Sequence, residues 1–160
     1  MSTYTVREAR PEDALAFTEC HVACWREAYA GMWDDERLAG LDVAKLAERR
    51  RVEIESGIAV HMLGVTESGE VIGIAIAGPS RDENPPAETE LYAIYVRQSQ
   101  QGSGVSDDLL DAVLGDRPAS LWVYRDNPRA AAFYVHHDFI PDGEEQLDAS
   151  GILEIRMVRR

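Results

Sequence analysis

Strand-type apolar runs alternate with helical patterns along this chain, and near its middle two such runs are joined by a hairpin signal. Together these predict an α/β fold on a sheet of mixed direction. A third observation agrees. An apolar run from Leu91 to Val96 feeds a loop with Gly102 and Gly104, which opens onto an amphipathic helix with Val105, Leu109, Leu110 and Val113 on one side. Strand, glycine loop and helix N-terminus in that order suit a phosphate group. Glycines let the backbone come close, and the first-turn N–H groups have no intrahelical partner. Taken alone, the same loop is also what a tight turn before a helix looks like.

In chain order, Tyr4 to Glu8 alternates as a strand does. Pro11 suits the first turn of a helix ending at Gly31, and Glu12 and Asp13 complement its dipole. Asp34 to Leu41 and Val43 to Ser56 read as a second helical stretch, split near Asp42. Ala59 to Thr66 and Val71 to Gly78 are β-type runs joined by Glu67 to Glu70, the hairpin signal. Arg81 to Pro86 is an exposed loop. Glu88 to Val96, Ala119 to Tyr124, Phe139 to Pro141 and Ile152 to Val158 complete the strands, and helices follow Gly104 and Asn127.

The chain of 160 residues predicts a single domain over 1–160, since no repeat or low-complexity linker interrupts it. No apolar run reaches the ~20 residues of a membrane helix. Met1 to Thr5 lacks a charged-then-apolar signal pattern, so a cytoplasmic protein without a membrane partner is expected. Cys20 and Cys24 stand one helical turn apart beside His21; buried thiols acting as small hydrophobes are expected, and no metal. A net charge of −13 argues against nucleic acid. The one basic run, Arg49 to Arg51, lies among Glu48, Glu53 and Glu55 as a solvated helix face. An acidic surface suits either a cationic acceptor, through steering, or plain solubility.

The stretch Leu121 to Phe139 joins a strand, an Asn-Pro helix start and a helix carrying Phe133 and Tyr134. With the glycine loop, it resembles the GNAT superfamily of acetyl-CoA-dependent N-acetyltransferases. That family carries Gln/Arg-x-x-Gly-x-Gly/Ala in its acyl-CoA loop, and Gln101 to Ser106 is similar, with Ser106 in place of the last small residue. Its Asn-x-x-Ala-x-x-Phe-Tyr and Gly-Phe are matched by Asn127, Ala130, Phe133, Tyr134 and Phe139, with Asp138 where the glycine stands. Val6 to Ala14 and Cys24 to Gly31 are similar to the first strand and helix of bacterial members, so the likeness covers nearly the whole chain.

The resemblance implies a GNAT-like sheet of six or seven strands flanked by helices. Its fourth and fifth strands, Glu88–Val96 and Ala119–Tyr124, would splay into a cleft for pantetheine. Ile94, Tyr95 and Val96 would hold the pantetheine arm. Gln101, Gly102, Ser103, Gly104, Val105 and Ser106 would hold the pyrophosphate, and Asn127 would contact the CoA arm while capping its helix. Acetyl-CoA is thus the expected co-substrate.

Moving acetyl from a thioester to an amine needs a neutral amine, a stabilised oxyanion and a protonated leaving thiol. Tyr134 is placed as the family's tyrosine near the CoA sulfur, a general acid that stays protonated at neutral pH. Glu90, eleven residues before Gln101, stands at the offset where histone-acetylating members carry a glutamate, and is the expected general base. Water chains serve that purpose in other members. His136 and His137 read as helix C-terminal residues suited to the dipole. Trp25, Tyr29 and Trp33 occupy the region that walls the acceptor pocket in family members, although helical spacing also reads Trp25 and Tyr29 as core. Asp107 and Asp108 sit in the helix's first turn, where acids stabilise the free helix but repel pyrophosphate. The expected function is acetyl transfer to a primary amine, on a cationic small molecule or a protein, with room for a homodimer. The other reading is a non-catalytic acyl-CoA-binding or interaction domain on the same fold.

Overall fold

In the computed structural model, which describes residues 3–160, seven strands form one sheet in the order β1-β2-β3-β4-β5-β7-β6. The start of the stretch read for a signal pattern, Met1 and Ser2, lies outside the described residues. The strands are β1 (Tyr4–Glu8), β2 (Val60–Thr66), β3 (Val71–Pro79), β4 (Thr89–Val96), β5 (Ala119–Tyr124), β6 (Ile140–Leu147) and β7 (Leu153–Arg159). The helices are α1 (Ala14–Tyr29), α2 (Asp35–Ala39), α3 (Val43–Ser56), α4 (Val105–Leu114) and α5 (Pro128–His136). The mixed, helix-flanked sheet is the architecture expected.

The chain divides into two compact units: residues up to Ala77 with Ala93–Gly115, and Gly78–Tyr92 with Asp116–Arg160. In the first, β2 runs antiparallel to both β1 and β3. The hairpin closes where Gly69, at φ +90, lets its N–H reach the Thr66 carbonyl at 2.9 Å. Phe17, Leu63, Ile72, Ile74 and Leu109 are fully buried, the apolar payload that holds α1 and α4 in place. α4 can lie this close because the sheet beneath it is bare: a Cβ on Gly73 would meet Leu109 Cδ1 at 2.8 Å, and one on Gly64 would meet Val105 Cγ2 at 2.9 Å. Cys20 and Cys24 are buried free thiols, and the hydrogen bond with Cys20, then burial, pushes the Cys24 thiol well up.

In the second unit, β7 is antiparallel to β5 and to β6, while β4 and β5 are parallel with Glu90 opposite Ser120. Phe139 and Leu121 are its fully buried anchors.

Two element boundaries differ from the expectation by three residues or more. The helix expected from Pro11 begins as a 3-10 turn, Pro11–Asp13, before α1. Asp13 accepts from Arg10 N at 2.8 Å and from Arg7 at 2.8 and 3.0 Å, so its carboxylate serves the turn and a strand rather than the helix start alone. The split expected near Asp42 is present: α2 ends at Ala39, and α3 begins afresh with Asp42 accepting from Lys45 N at 3.1 Å. β6 runs on to Leu147, well past Pro141, carried by antiparallel pairing with β7; its exposed, acidic residues lack the apolar alternation that would have marked it in the sequence.

Candidate active site

In the first unit, β4 ends and the chain makes a 3-10 turn, Gln98–Gln100, into the glycine loop. The turn is pinned from α1. Glu27 accepts from Gln98 N at 3.1 Å and from the Arg97 guanidinium at 3.1 and 3.4 Å, and Arg97 N reaches the Ile72 carbonyl at 2.9 Å. Gly102 and Gly104 sit at φ +85 and +93, conformations that side chains resist. Two loop amides are spent within the turn: Gln101 N donates to the Gln98 carbonyl at 3.3 Å and Ser103 N to the Gln100 carbonyl at 3.1 Å. Val105 N makes a long contact, 3.4 Å, with Ser103 Oγ. Among the described residues, the N–H groups of Gly102, Gly104 and Ser106 have no partner. The loop therefore offers alternate amides, fewer than the unbroken run Gln101 to Ser106 expected. A row of open N–H groups at a helix start is a fitting cradle for pyrophosphate.

Asp108, one of the two acids at that helix start, is occupied. The Tyr4 hydroxyl donates to its carboxylate, and this bond, more than burial, pushes the Tyr4 hydroxyl up to about 12. No pattern in the sequence links positions 4 and 108; the β1–α4 packing does.

Tyr95 in β4 and Tyr29 in α1 share a hydrogen bond between hydroxyls at 2.7 Å. Around them Trp25, Tyr29 and Trp33 pack ring against ring, with centroids 5.7 Å apart for Trp25–Trp33 and 4.7 Å for Tyr29–Trp33. Tyr29 and Trp33 are buried, and the Arg37 guanidinium lies 3.6 Å from the Trp33 ring centroid. The chain's own cation thus stacks on Trp33. His21, which sequence reasoning left beside the cysteines, completes this cluster, 4.0 Å from the Trp25 ring and 5.1 Å from Tyr95. Burial pulls its pKa down to about 3, and its Nε2 has no hydrogen-bond partner.

In the second unit, Glu90 is 2% exposed and both its oxygens are engaged. Oε1 accepts from Arg81 N at 2.9 Å, and Oε2 accepts from Arg81 Nη2 at 2.7 Å. Arg81 stacks over Tyr92, 3.9 Å from the ring centroid, and is itself 62% exposed. The adjacent Asp82 accepts from Trp122 Nε1 at 3.0 Å and from Arg156 at 3.4 Å, while Arg156 also donates to Asp142 at 2.7 Å. The segment expected only as an exposed loop is therefore tied down by a charged network. Glu90 lies beside that network, buried beneath Arg81.

Asn127 caps α5 as expected, its side-chain oxygen accepting from Ala130 N at 3.4 Å. Tyr134, half-buried, packs edge-on to Phe133 and Phe139 with centroids 5.6 and 6.0 Å away. Its carbonyl accepts from His137 N and Phe139 N, each at 3.0 Å, which ends the helix. Asp138 takes the left-handed conformation, φ +72, at the position where the family has glycine. Among the described residues no group of three or more His, Cys, Asp or Glu could hold a metal ion, and no helix is long and apolar enough to cross a membrane.

Comparison with known proteins bears on the family and the fold. The model of the acetyltransferase (GNAT) family matches residues 6–139. The uncharacterized N-acetyltransferase YuaI of Bacillus subtilis is 29% identical over 154 residues, covering 92% of this chain and 87% of its own length. Rv2775 of Mycobacterium tuberculosis, named a probable N-acetyltransferase, is 28% identical over 146 residues, covering 89% of this chain and 83% of its own length. Among solved structures, PaiA N-acetyltransferase from Thermoplasma acidophilum, in complex with coenzyme A, is similar with a TM-score of 0.74 at 19% identity over 99% of each chain. An HPA2-related acetyltransferase from Corynebacterium glutamicum gives 0.72 at 23% identity, over 99% of this chain and 96% of its own. This chain belongs to the GNAT acetyltransferase family.

Proposed function

We propose that this chain acts as a single catalytic domain that moves an acetyl group from acetyl-CoA to a primary amine by direct attack. The observation that carries the reading is the loop before α4, whose Gly102, Gly104 and Ser106 amides are open to an anion. The arm of the co-substrate follows β4 at Ile94, Tyr95 and Val96, and Asn127 is assigned a contact with it besides capping α5. The neutral amine forms the new C–N bond, the C–S bond breaks, and the departing thiolate takes a proton from the Tyr134 hydroxyl.

Glu90 is the proposed proton acceptor for the ammonium. Since Arg81 bonds both of its oxygens, it works through a remaining lone pair and water. Because both oxygens are already engaged, bulk water shares the task. Trp25, Tyr29 and Trp33 support the acceptor side as a packed aromatic wall. Arg37 over Trp33 speaks against a bare cation stacking there.

The test is thiol release from acetyl-CoA across a panel of amines, run beside thermal protection by acetyl-CoA. Protection with amine-dependent thiol release supports the transferase. Protection without release leaves a binder. No protection removes the loop from the argument.

A further inference from the structure

The sheet ends on β6, and the bonding around it fixes which backbone groups face the open side. In an antiparallel pair, opposed residues alternate between those that exchange N–H and C=O bonds and those that turn these groups outward. Asp148 N donates to the Ile152 carbonyl at 2.9 Å, so the β6–β7 register starts on a bonded pair. Arg125 N donates to the Leu153 carbonyl at 3.1 Å, so Leu153 turns toward β5 and away from Leu147, which stands opposite it in β6. Counted from either bond, Gln146 faces β7, while Glu145 and Leu147 direct their N–H and C=O groups away from it. β6 is the last strand, and no hydrogen bond to those outward groups is found among the described residues.

The first half of this edge is blunted. Met157, like Leu153, turns toward β5, so Pro141 opposite it faces outward, where it has no N–H to offer. The register then shifts between Pro141 and Glu145, and Glu144 N is taken by Asp142 Oδ1 at 3.1 Å. From Glu145 to Leu147 the strand is regular and exposed. Leu147, with a side chain 65% exposed, lies on the same face as Glu145, two residues away. The open stretch therefore combines unpaired backbone groups with a carboxylate and an apolar side chain in fixed order.

We infer that this edge is a docking strand for an extended basic segment of another protein. The segment adds antiparallel to β6, so that an apolar side chain meets Leu147 and a Lys or Arg two residues later meets Glu145. Charge selects the occupant. A second copy of the chain would bring Glu144, Glu145 and Asp148 of two edges together, in two molecules of net charge −13 each. A basic segment is instead attracted at long range and answered in contact. Docking at this edge does not depend on the transferase reading.

The experiment follows the fluorescence anisotropy of short, blocked, labelled peptides of alternating threonine and valine, which carry either lysine or glutamate two residues after the central valine. The whole chain should bind the lysine peptide about 10-fold more tightly than the glutamate peptide at low salt, and added salt should narrow the gap. Backbone N-methylation of the central valine and the lysine, whose N–H groups face β6, should abolish binding with every charge kept. N-methylation of the threonine between them should leave most of it. Glu145→Lys, at an exposed position, should remove the preference for the lysine peptide. Equal binding of the two peptides, the same response to both methylation patterns, or a preference that survives Glu145→Lys overturns the docking strand. So does the absence of binding by either peptide. A dimer seen by sedimentation and lost in Leu147→Glu gives the edge to a second copy and overturns the basic partner.

Discussion

The Arg81–Glu90 pair has one buried end and one wet end, so its two halves should be unequal when removed. Arg81→Met leaves the Glu90 carboxylate 2% exposed, with only the loop N–H at 2.9 Å as partner. Stranding a buried charge in this way costs about 3–5 kcal/mol, and the remaining N–H argues for the lower end. Glu90→Gln strands nothing, because a guanidinium already 62% exposed turns to water and an amide oxygen still accepts from Arg81 N. The expected cost there is about 1 kcal/mol, one ordinary hydrogen bond. The double variant has no buried charge and should lie within about 1 kcal/mol of Glu90→Gln, a coupling of about 2 kcal/mol or more. In a chain of this size each kcal/mol moves Tm by roughly 2–4 °C, so the single variants should separate clearly. Urea and thermal unfolding followed by tryptophan emission read this directly, since Trp122 is bonded to Asp82, next to Arg81. Equal losses from the two single variants, or strict additivity in the double, would refute the reasoning.

Four other outcomes are expected. Gly104→Val should weaken acetyl-CoA binding in calorimetry and cost about 1–2 kcal/mol of stability, because φ is +93 and the new Cβ would lie 3.4 Å from the Tyr4 hydroxyl; unchanged affinity removes the loop as phosphate site. Tyr134→Phe should lower kcat by roughly 10²–10⁴-fold with acetyl-CoA affinity preserved, and full activity would leave Tyr134 a packing residue. Asp138→Gly should raise stability by up to about 1 kcal/mol, relief at φ +72 being partly offset by the freer unfolded chain; a loss on thermal unfolding would show a role for the Asp138 side chain. His21, whose folded pKa of about 3 lies below the unfolded value of about 6.5, contributes stability that is whole above the unfolded value and is lost as pH falls from there toward the folded one. His61 is shifted down as well, chiefly by burial, and adds in the same direction. His21→Phe should therefore flatten the pH dependence of urea stability on the acid side of neutrality, and an unchanged slope would count against a buried neutral His21.

What could be read from the residues follows from how local each signal is. β5 was legible to its ends because Ala119 to Tyr124 is an apolar run bounded by turn residues, and Asn127 as a cap because Asn-Pro acts within one helical turn. The glycines of the loop were legible for the same reason. β6 was not, since an edge strand facing solvent with Asp142, Glu144 and Glu145 carries none of the apolar alternation by which strands are recognised. Nor was the Arg81–Glu90 pair. Arg81 belonged to a stretch whose Asn, Pro and charged residues mark a loop, and only the return of the chain along β4 brings Glu90 beneath it. His21 was hidden by its neighbours. Beside two cysteines it suggested ligands, whereas packing turns it toward Trp25 and Tyr95 and leaves the thiols to pack.

The distribution of charge also resolves an apparent conflict between an acidic chain and a polyanionic co-substrate. Net charge acts at long range and is screened within about 8 Å at physiological salt, whereas amides at a helix start act in contact. Asp108 could cancel that local field, but the Tyr4 hydroxyl ties its carboxylate to β1. Breaking that tie with Tyr4→Phe should free the carboxylate and raise the KM for acetyl-CoA while leaving kcat near its wild-type value. Added salt should narrow the gap between variant and wild type, because a loose surface carboxylate is screened and a hydrogen-bonded one is already answered. A KM equal to wild type at low salt would mean that Asp108 does not bear on the loop, and that the acids at the start of α4 serve the helix alone.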